Sequence, residues 1–248
     1  MQKPYCLLFL LCTAIILNGC KKQTDSFTSS PLTNYYPLQP GKYITYDLDS
    51  TIFINFGQRD TVIKYQAQDV VDEKITDNLG RPAYRVIRYI RKNASQSWSP
   101  NNTFMVVPTD NTIEVVEDNL RFQKLKLPIT NGFSWKGNSF VDTYSLNSDI
   151  KYLDDWDYTY DSVNVPLSIG TYNFDSTIKV FQRDEFLGQN PGDPGTQYAE
   201  KNYGVEKYAK SVGLIYKEFI HWEYQGSQPG KPAYYLGYGI KLSIIDHN

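Results

Sequence analysis

The stretch ITYDLDSTIFINF, residues 44–56, decides the fold class. Its even positions form one mostly apolar face, while most odd positions carry polar side chains. This period of two is typical of an antiparallel strand that buries one face. The members of the even face are Ile44, Tyr46, Leu48, Ser50, Ile52, Ile54 and Phe56.

Similar patterns continue along the chain and are separated by short polar turns. Residues 61–76 and 83–92 predict two further strands, with a turn at 77–82 between them. Long amphipathic segments do not alternate with the strands, so a parallel βαβ sheet is not expected. We therefore predict an all-β fold, an antiparallel meander curved into an open barrel, a half-barrel or a sandwich.

Two other segments carry weaker patterns. Residues 146–175 mix Asp, Tyr and Pro, and we expect a long loop with one turn of helix. Near the C-terminus alternating apolar side chains predict a strand face, which places His221 on the opposite face, either toward solvent or on the second face of the sheet. The members of that predicted face are Leu214, Tyr216, Ile220, Trp222 and Tyr224.

The N-terminus reads as a secretory signal. Residues 6–17 are apolar apart from Thr13, and Lys3 precedes them. Twelve residues of helix rise about 18 Å, which is short of the roughly 30 Å hydrocarbon core of a bilayer. A basic start followed by a short apolar run predicts a signal peptide at residues 1–19.

The end of this signal, Leu17-Asn18-Gly19-Cys20, resembles the lipobox of bacterial lipoproteins. The resemblance implies cleavage before Cys20, a diacylglyceryl group on its sulfur, and a further acyl chain such as palmitate on the new amine. Two or more acyl chains anchor a protein stably, whereas one does so only marginally. The alternative is an ordinary secretory signal that is cut near Gly19 and leaves a free thiol.

The segment after Cys20 is polar. Residues 20–34 predict a lipid-anchored tether, because their composition cannot bury enough apolar surface to fold. Residues 35–248 are then a single β domain. Surface-exported lipoproteins of Bacteroidota often carry acidic residues after the cysteine. Lys21 and Lys22 stand there instead, which favours a location in the cell envelope, at the outer membrane and facing the periplasm.

Two patches of the domain resemble a group of Bacteroidota lipoproteins that has no assigned activity. YYPLQPGKYITYDLDS, residues 35–50, is similar to the PL-x-x-G-x-x-W/Y-x-Y opening of the group. YAKSVGLIYKEFIHWEY, residues 208–224, is similar to its YA-x-x-VGLV signature. The second pattern is also similar to LolA-like half-barrels, which bind lipidated chains.

The charge and the catalytic inventory exclude several classes of function. The chain has 25 basic and 27 acidic residues and no concentrated basic face, so nucleic acid is not an expected partner. Its two histidines, His221 and His247, lie in no known catalytic signature. We predict no enzymatic activity, no catalytic residues, no cofactor and no bound metal.

One segment combines side chains that could hold a ligand. In YLDDWDYTYDS, residues 152–162, Trp156 and Tyr158 alternate with Asp155 and Asp157. Aromatic planes beside carboxylates can hold a sugar ring, and clustered carboxylates can also bind Ca²⁺. The third interpretation is that the aromatic rings fill the core while the aspartates face water.

These observations favour a membrane-tethered binding or assembly module without catalytic activity. Its partners are then the membrane, through the N-terminal lipid, and a glycan or an envelope protein. A lipid or lipoprotein carrier with a half-barrel cavity is the first alternative. A glycan-acting enzyme is the second, and it requires two carboxyl groups about 5–9.5 Å apart in a cleft.

Overall fold

The structure is a computed structural model that describes residues 29–146 and 148–248. The predicted signal peptide, Cys20 and residues 21–28 of the predicted tether lie outside the described residues. In the part that is described, no helix is long and apolar enough to cross a membrane.

The described chain forms one antiparallel sheet of twelve strands. Its order is β6-β5-β4-β3-β2-β1-β12-β11-β10-β9-β8-β7, so the first and last strands pair at the centre and each half continues outward as hairpins. The strands are β1 (Tyr43–Ile54), β2 (Arg59–Thr76), β3 (Pro82–Arg91), β4 (Ser99–Pro108), β5 (Thr112–Glu117), β6 (Leu120–Lys126), β7 (Ser134–Lys136), β8 (Asp157–Ile169), β9 (Tyr172–Gly188), β10 (Tyr198–Ala209), β11 (Gly213–Gln225) and β12 (Tyr234–His247).

The sheet curves until its two outermost strands meet, which gives a nearly closed barrel. This confirms the predicted all-β class and the antiparallel meander. At the central pair, Tyr46 lies opposite Ile244 and Leu48 opposite Leu242. The apolar face predicted from residues 44–56 therefore continues across the strand pairing.

Hydrogen bonds between β6 and the β7–β8 hairpin close the barrel. The Gln123 amide donates to the Gly137 carbonyl at 2.8 Å, and the Trp135 indole donates to the Gln123 carbonyl at 2.8 Å. Further along, the Tyr160 hydroxyl donates to the Lys126 carbonyl at 2.8 Å and accepts from the Lys126 amide at 3.0 Å. The backbone groups of the β6 edge are thus satisfied largely by side chains.

Two apolar clusters fill the molecule. The larger one occupies the barrel interior and contains Trp135, Trp156, Tyr158 and Tyr160. The smaller one includes Phe174 of the β8–β9 hairpin together with residues of the central strands.

The prediction of a loop at residues 146–175 is wrong for most of that range. β8 begins at Asp157, and β9 begins at Tyr172. Three register shifts interrupt the β8–β9 pairing, which breaks the regular alternation that a sequence pattern needs. Pro166 lies beyond the three residues that β8 pairs with β7, where its missing N–H is not needed for the sheet.

The structure also corrects the end of the predicted tether. A single turn of 3₁₀ helix spans Leu32–Asn34, and Leu32 is buried in the larger apolar cluster, with 5% of its surface exposed. The Ile129 amide donates to the Ser29 hydroxyl at 3.0 Å, and the Ser211 amide donates to the Asn34 carbonyl at 2.6 Å. One buried leucine and these hydrogen bonds hold a segment whose overall composition is polar.

We predict that Leu32→Ala lowers the free energy of unfolding by about 2–5 kcal/mol, the usual cost of emptying a buried leucine site. Urea denaturation followed by tryptophan fluorescence measures this. Thr33→Ala is the matched control, because Thr33 is exposed and its change should stay within about 0.5 kcal/mol. Equal stability of the two variants would show that residues 29–34 do not belong to the folded domain.

Candidate functional site

The loop between β7 and β8, residues 137–156, carries the predicted ligand-binding segment into the barrel. Asn138 fixes this loop from both sides: its amide donates to the Leu153 carbonyl at 2.8 Å, and its carbonyl accepts the Tyr158 hydroxyl at 2.9 Å. A short 3₁₀ turn spans Lys151–Leu153. This turn directs Tyr152 and Trp156 toward the interior.

The four predicted site residues do not form one site. Trp156 is 1% exposed and Tyr158 is 2% exposed, and both rings belong to the larger apolar cluster. Asp155 and Asp157 are exposed on the outside, where both pair with Lys136, at 2.6 and 3.0 Å. Asp157 and Tyr158 begin β8, where neighbouring residues point to opposite faces, while Asp155 and Trp156 precede the strand. In both pairs the ring is buried and the carboxylate is outside.

The other carboxylates of this segment are also engaged separately. Asp154 accepts the Thr143 hydroxyl at 2.6 Å, and Asp161 pairs with Lys179 at 2.6 Å. Among the residues that the structure describes, no group of three His, Cys, Asp or Glu side chains could hold a metal ion. The combination that suggested a sugar or Ca²⁺ site at residues 152–162 is therefore not assembled there.

Trp156 instead forms part of the wall of an interior cavity. Its indole N–H donates to the Tyr152 carbonyl at 2.6 Å, and its ring stacks on Phe219 with 5.9 Å between the ring centres. Gly204 of β10 leaves the space for this ring, because a Cβ there would lie 2.9 Å from the indole.

The cavity has a volume of about 290 Å³. This lies at the lower end of the range for small-molecule pockets, roughly 300–1,000 Å³. One part of its wall is aromatic and another part is charged or polar. The lining residues are Arg88, Glu117, Asp118, Leu120, Phe122, Lys124, Tyr152, Leu153, Trp156, Tyr158, Gln182, Lys217, Phe219, Tyr238 and Ile240.

Two ion pairs lie behind the charged wall. Lys124 of β6 pairs with Glu206 of β10 at 2.7 Å, and Glu206 also accepts the Tyr208 hydroxyl at 2.6 Å. Arg88 of β3 donates two hydrogen bonds to Asp69 of β2, each 2.7 Å long. These bonds satisfy much of the buried charge, as buried ionic groups require.

The ion pairs determine the protonation of their members. Burial alone would raise the pKa of Glu206, but the nearby ammonium groups of Lys124 and Lys217 outweigh it and lower that pKa. Burial would likewise lower the pKa of Lys124, but Glu206 outweighs it and raises that pKa. Both groups are therefore charged at neutral pH.

Two donors on the cavity wall have no such partner. Within residues 29–146 and 148–248, no carboxylate oxygen lies within 4.0 Å of the Lys217 ammonium. Gln182 is 3% exposed, and its side-chain nitrogen, which has almost no accessible surface, has no hydrogen-bond partner among these residues. Burial lowers the pKa of Lys217, and the positive charge of Lys124 lowers it further.

Two tyrosines stand at the rim of the cavity. The hydroxyls of Tyr152 and Tyr238 are 3.5 Å apart. Tyr152 also stacks on His221, with 3.6 Å between the ring centres and 10° between the planes. His221 is held by Asn202 at 2.8 Å, and burial lowers its pKa, so it is neutral at pH 7.

Of the two alternatives for His221, the solvent-facing one is therefore wrong. His221 does lie opposite Ile220 and Trp222, but its face of β11 is the interior one, shared with Lys217 and Phe219. Ile220 and Trp222, two of the apolar residues of the face that the pattern predicts to be buried, lie on the outer side of β11.

Those outward residues border a second concavity, on the outer surface, with a volume of about 410 Å³. Trp222 contacts Tyr235 edge-on, and Phe53 stacks on Tyr235 at 5.3 Å between the ring centres. Every buried side-chain nitrogen or oxygen of the residues that line it has a hydrogen-bond partner. The interior cavity is therefore the stronger candidate site.

Sequence reasoning did not identify the charged wall. Arg88, Glu117, Lys124, Gln182 and Lys217 lie on different strands, and each looks like an ordinary solvent-facing position in its own segment. Only the closure of the sheet brings them together. The one available signal was the alternation of Lys217 with Phe219 and His221 on β11.

Comparisons with known proteins identify no family. No protein-family model matches the chain, and no curated protein matches it. Among solved structures, one similar chain is a Bacteroides fragilis protein described as exported and as having a YmcC-like fold. It has 12% identity and a TM-score of 0.40, and the match covers 85% of this chain and 98% of that one. A Parabacteroides distasonis protein described as a lipoprotein has 13% identity and a TM-score of 0.31, with 86% and 97% covered. These values are too low to transfer a role or a ligand.

We predict that Trp156→Ala lowers the free energy of unfolding by about 3–5 kcal/mol, because it empties a buried aromatic site. Thermal or urea denaturation measures the loss. Tyr144→Ala, in the same loop but 82% exposed, is the control and should change stability by less than about 0.5 kcal/mol. A stable Trp156→Ala protein would mean that Trp156 is a surface residue.

Proposed function

We propose that this protein is a lipid-anchored binding protein of the cell envelope that holds a small ligand in its interior cavity. The observation that carries the proposal is the cavity itself, which the surrounding aromatic rings leave unfilled and whose wall presents the Lys217 ammonium, with no carboxylate oxygen of the described residues within 4.0 Å. Pockets that combine apolar walls with a few convergent polar groups are the usual form of a small-molecule site.

The lining disfavours the lipid-carrier alternative. An acyl chain would lie against Arg88, Glu117 and Lys217 and would remove their charges from water without offering any hydrogen bond. Burying charges in this way is costly. The volume of about 290 Å³ also suits a compact molecule better than the lipidated end of a protein chain.

The other parts of the proposal rest on sequence. Attachment through Cys20, a position at the outer membrane facing the periplasm, and the lack of catalytic activity remain predictions. A glycan or an envelope protein stays a partner class for the outer surface. The aromatic side chains of Phe53, Trp222 and Tyr235, which line the outer concavity, support such a contact.

Native mass spectrometry tests the ligand site. The protein is purified from the cells that express it naturally, and we expect a population that carries a bound small molecule. Leu120→Trp should remove this adduct, because the larger ring enters the cavity from its half-buried position on β6.

The matched control is Leu79→Trp. Leu79 is exposed in the β2–β3 turn, away from the cavity, so this variant should keep the adduct. A wild-type protein without any adduct, or an adduct that survives Leu120→Trp in a folded protein, would contradict the proposed function.

A separate experiment tests the anchor. Cys20→Ala should abolish labelling by a fatty-acid probe and should release the protein from the membrane fraction or leave its signal uncleaved. The acceptor sulfur is missing in that variant, and stable anchoring depends on the acyl chains. Continued labelling and membrane partitioning of the variant would exclude Cys20 as the attachment site.

A further inference from the structure

We propose that the interior cavity recognises a small aromatic carboxylic acid, whose carboxylate accepts a hydrogen bond from the Lys217 ammonium. This inference rests on the proposed function and adds the chemical class of the ligand.

Among the cations that line the cavity, Lys217 is the one that the described part of the protein leaves without a carboxylate within 4.0 Å. Arg88 and Lys124 each have a carboxylate of their own at 2.7 Å, and so their charges are already compensated. Glu117 accepts from Asn102 at 3.3 Å and lies 3.5 Å from Arg88. The Asp118 carboxylate is exposed to solvent, and the Tyr158 hydroxyl donates to Asn138. Lys217 is then the charged group of the wall that is half-buried and has no carboxylate beside it. A ligand that pairs with this ammonium must bring acceptor oxygens, and the positive charge favours an anionic ligand.

The part of the wall that adjoins Lys217 fits a flat ring. Phe219 lies between Trp156, at 5.9 Å, and Tyr238, at 5.4 Å, with interplanar angles of 25° and 30°. These nearly parallel rings present faces and edges to the same cavity. Aromatic pairs at such separations stabilise a complex by more than the burial of their surface accounts for.

The charges around Lys217 set the pH dependence of binding. Glu117 and Glu206 favour its charged form, whereas burial, Lys124 and Arg88 oppose it, and the net result is a lowered pKa. A bound carboxylate raises that pKa, so binding favours the protonated amine. Affinity should be highest below the pKa of Lys217 in the free protein and should fall as the pH rises through it.

The experiment uses three acids of increasing length, benzoate, phenylacetate and 3-phenylpropionate, and the amide of each acid. The purified full-length protein is melted with each compound at millimolar concentration. A ligand that binds only the folded state raises the melting temperature. We expect at least one acid to raise it clearly more than its amide.

Variants then assign the effect to the proposed donor. Lys217→Met keeps the length of the side chain but removes its charge, and it should weaken binding of the acid by roughly 10- to 100-fold while leaving the amide unaffected. Lys210→Met changes an exposed lysine in the β10–β11 turn and should leave both unchanged. Titration calorimetry gives the affinities.

Three results would overturn the inference. They are equal stabilisation by every acid and its amide, no stabilisation by any of the three acids, and an acid-specific effect that persists in Lys217→Met. A neutral molecule identified in the cavity by native mass spectrometry would also overturn it, while leaving the proposed function intact. A wild-type protein that carries no adduct and binds none of the compounds would instead contradict both the inference and the proposed function.

Discussion

The width of the barrel interior is the constraint on which the rest of this structure depends. Eight strands already enclose a space that side chains just fill, and the diameter grows with strand number. The twelve strands here, nearly closed, enclose more than aliphatic residues can occupy. The interior is filled by large rings, including Trp135, Trp156 and Tyr160, and by buried ion pairs. The space that remains is the cavity.

Closure also gives the charged wall its electrostatic character. Lys124 and Glu206 belong to opposite halves of the meander, and their 2.7 Å contact crosses the interior. Such a pair adds little net stability, because removing both charges from water offsets their attraction, yet breaking it leaves a costly unpaired charge. The pair therefore fixes the arrangement of the interior more than it stabilises the fold. Of the three cations that line the cavity in the described part of the chain, Lys217 is then the one with no carboxylate oxygen within 4.0 Å.

The sequence predicts those parts of the fold that depend on local alternation. Residues 44–56 and 61–76 show a period of two, so their strands and the meander were predictable. β8 was not, because its register shifts break the alternation, and Leu32 was missed because one apolar residue carries little weight in a polar segment. The cavity could not be predicted, since Arg88, Lys124 and Lys217 meet only through pairings between distant strands. The sequence pattern singles out Trp156, but only the closed barrel shows that its ring is buried.

Amide hydrogen exchange on the β6 edge tests the closure most directly. In the closed barrel the amides of Gln123 and Lys126 donate to the Gly137 carbonyl and the Tyr160 hydroxyl. The account predicts that both amides are protected nearly as well as the amides of the central β1–β12 pair, because they open only when the barrel opens. Exchange at the rate of an unpaired sheet edge, with β1 and β12 still protected, would show that the barrel is open. The cavity would then be a groove exposed to solvent.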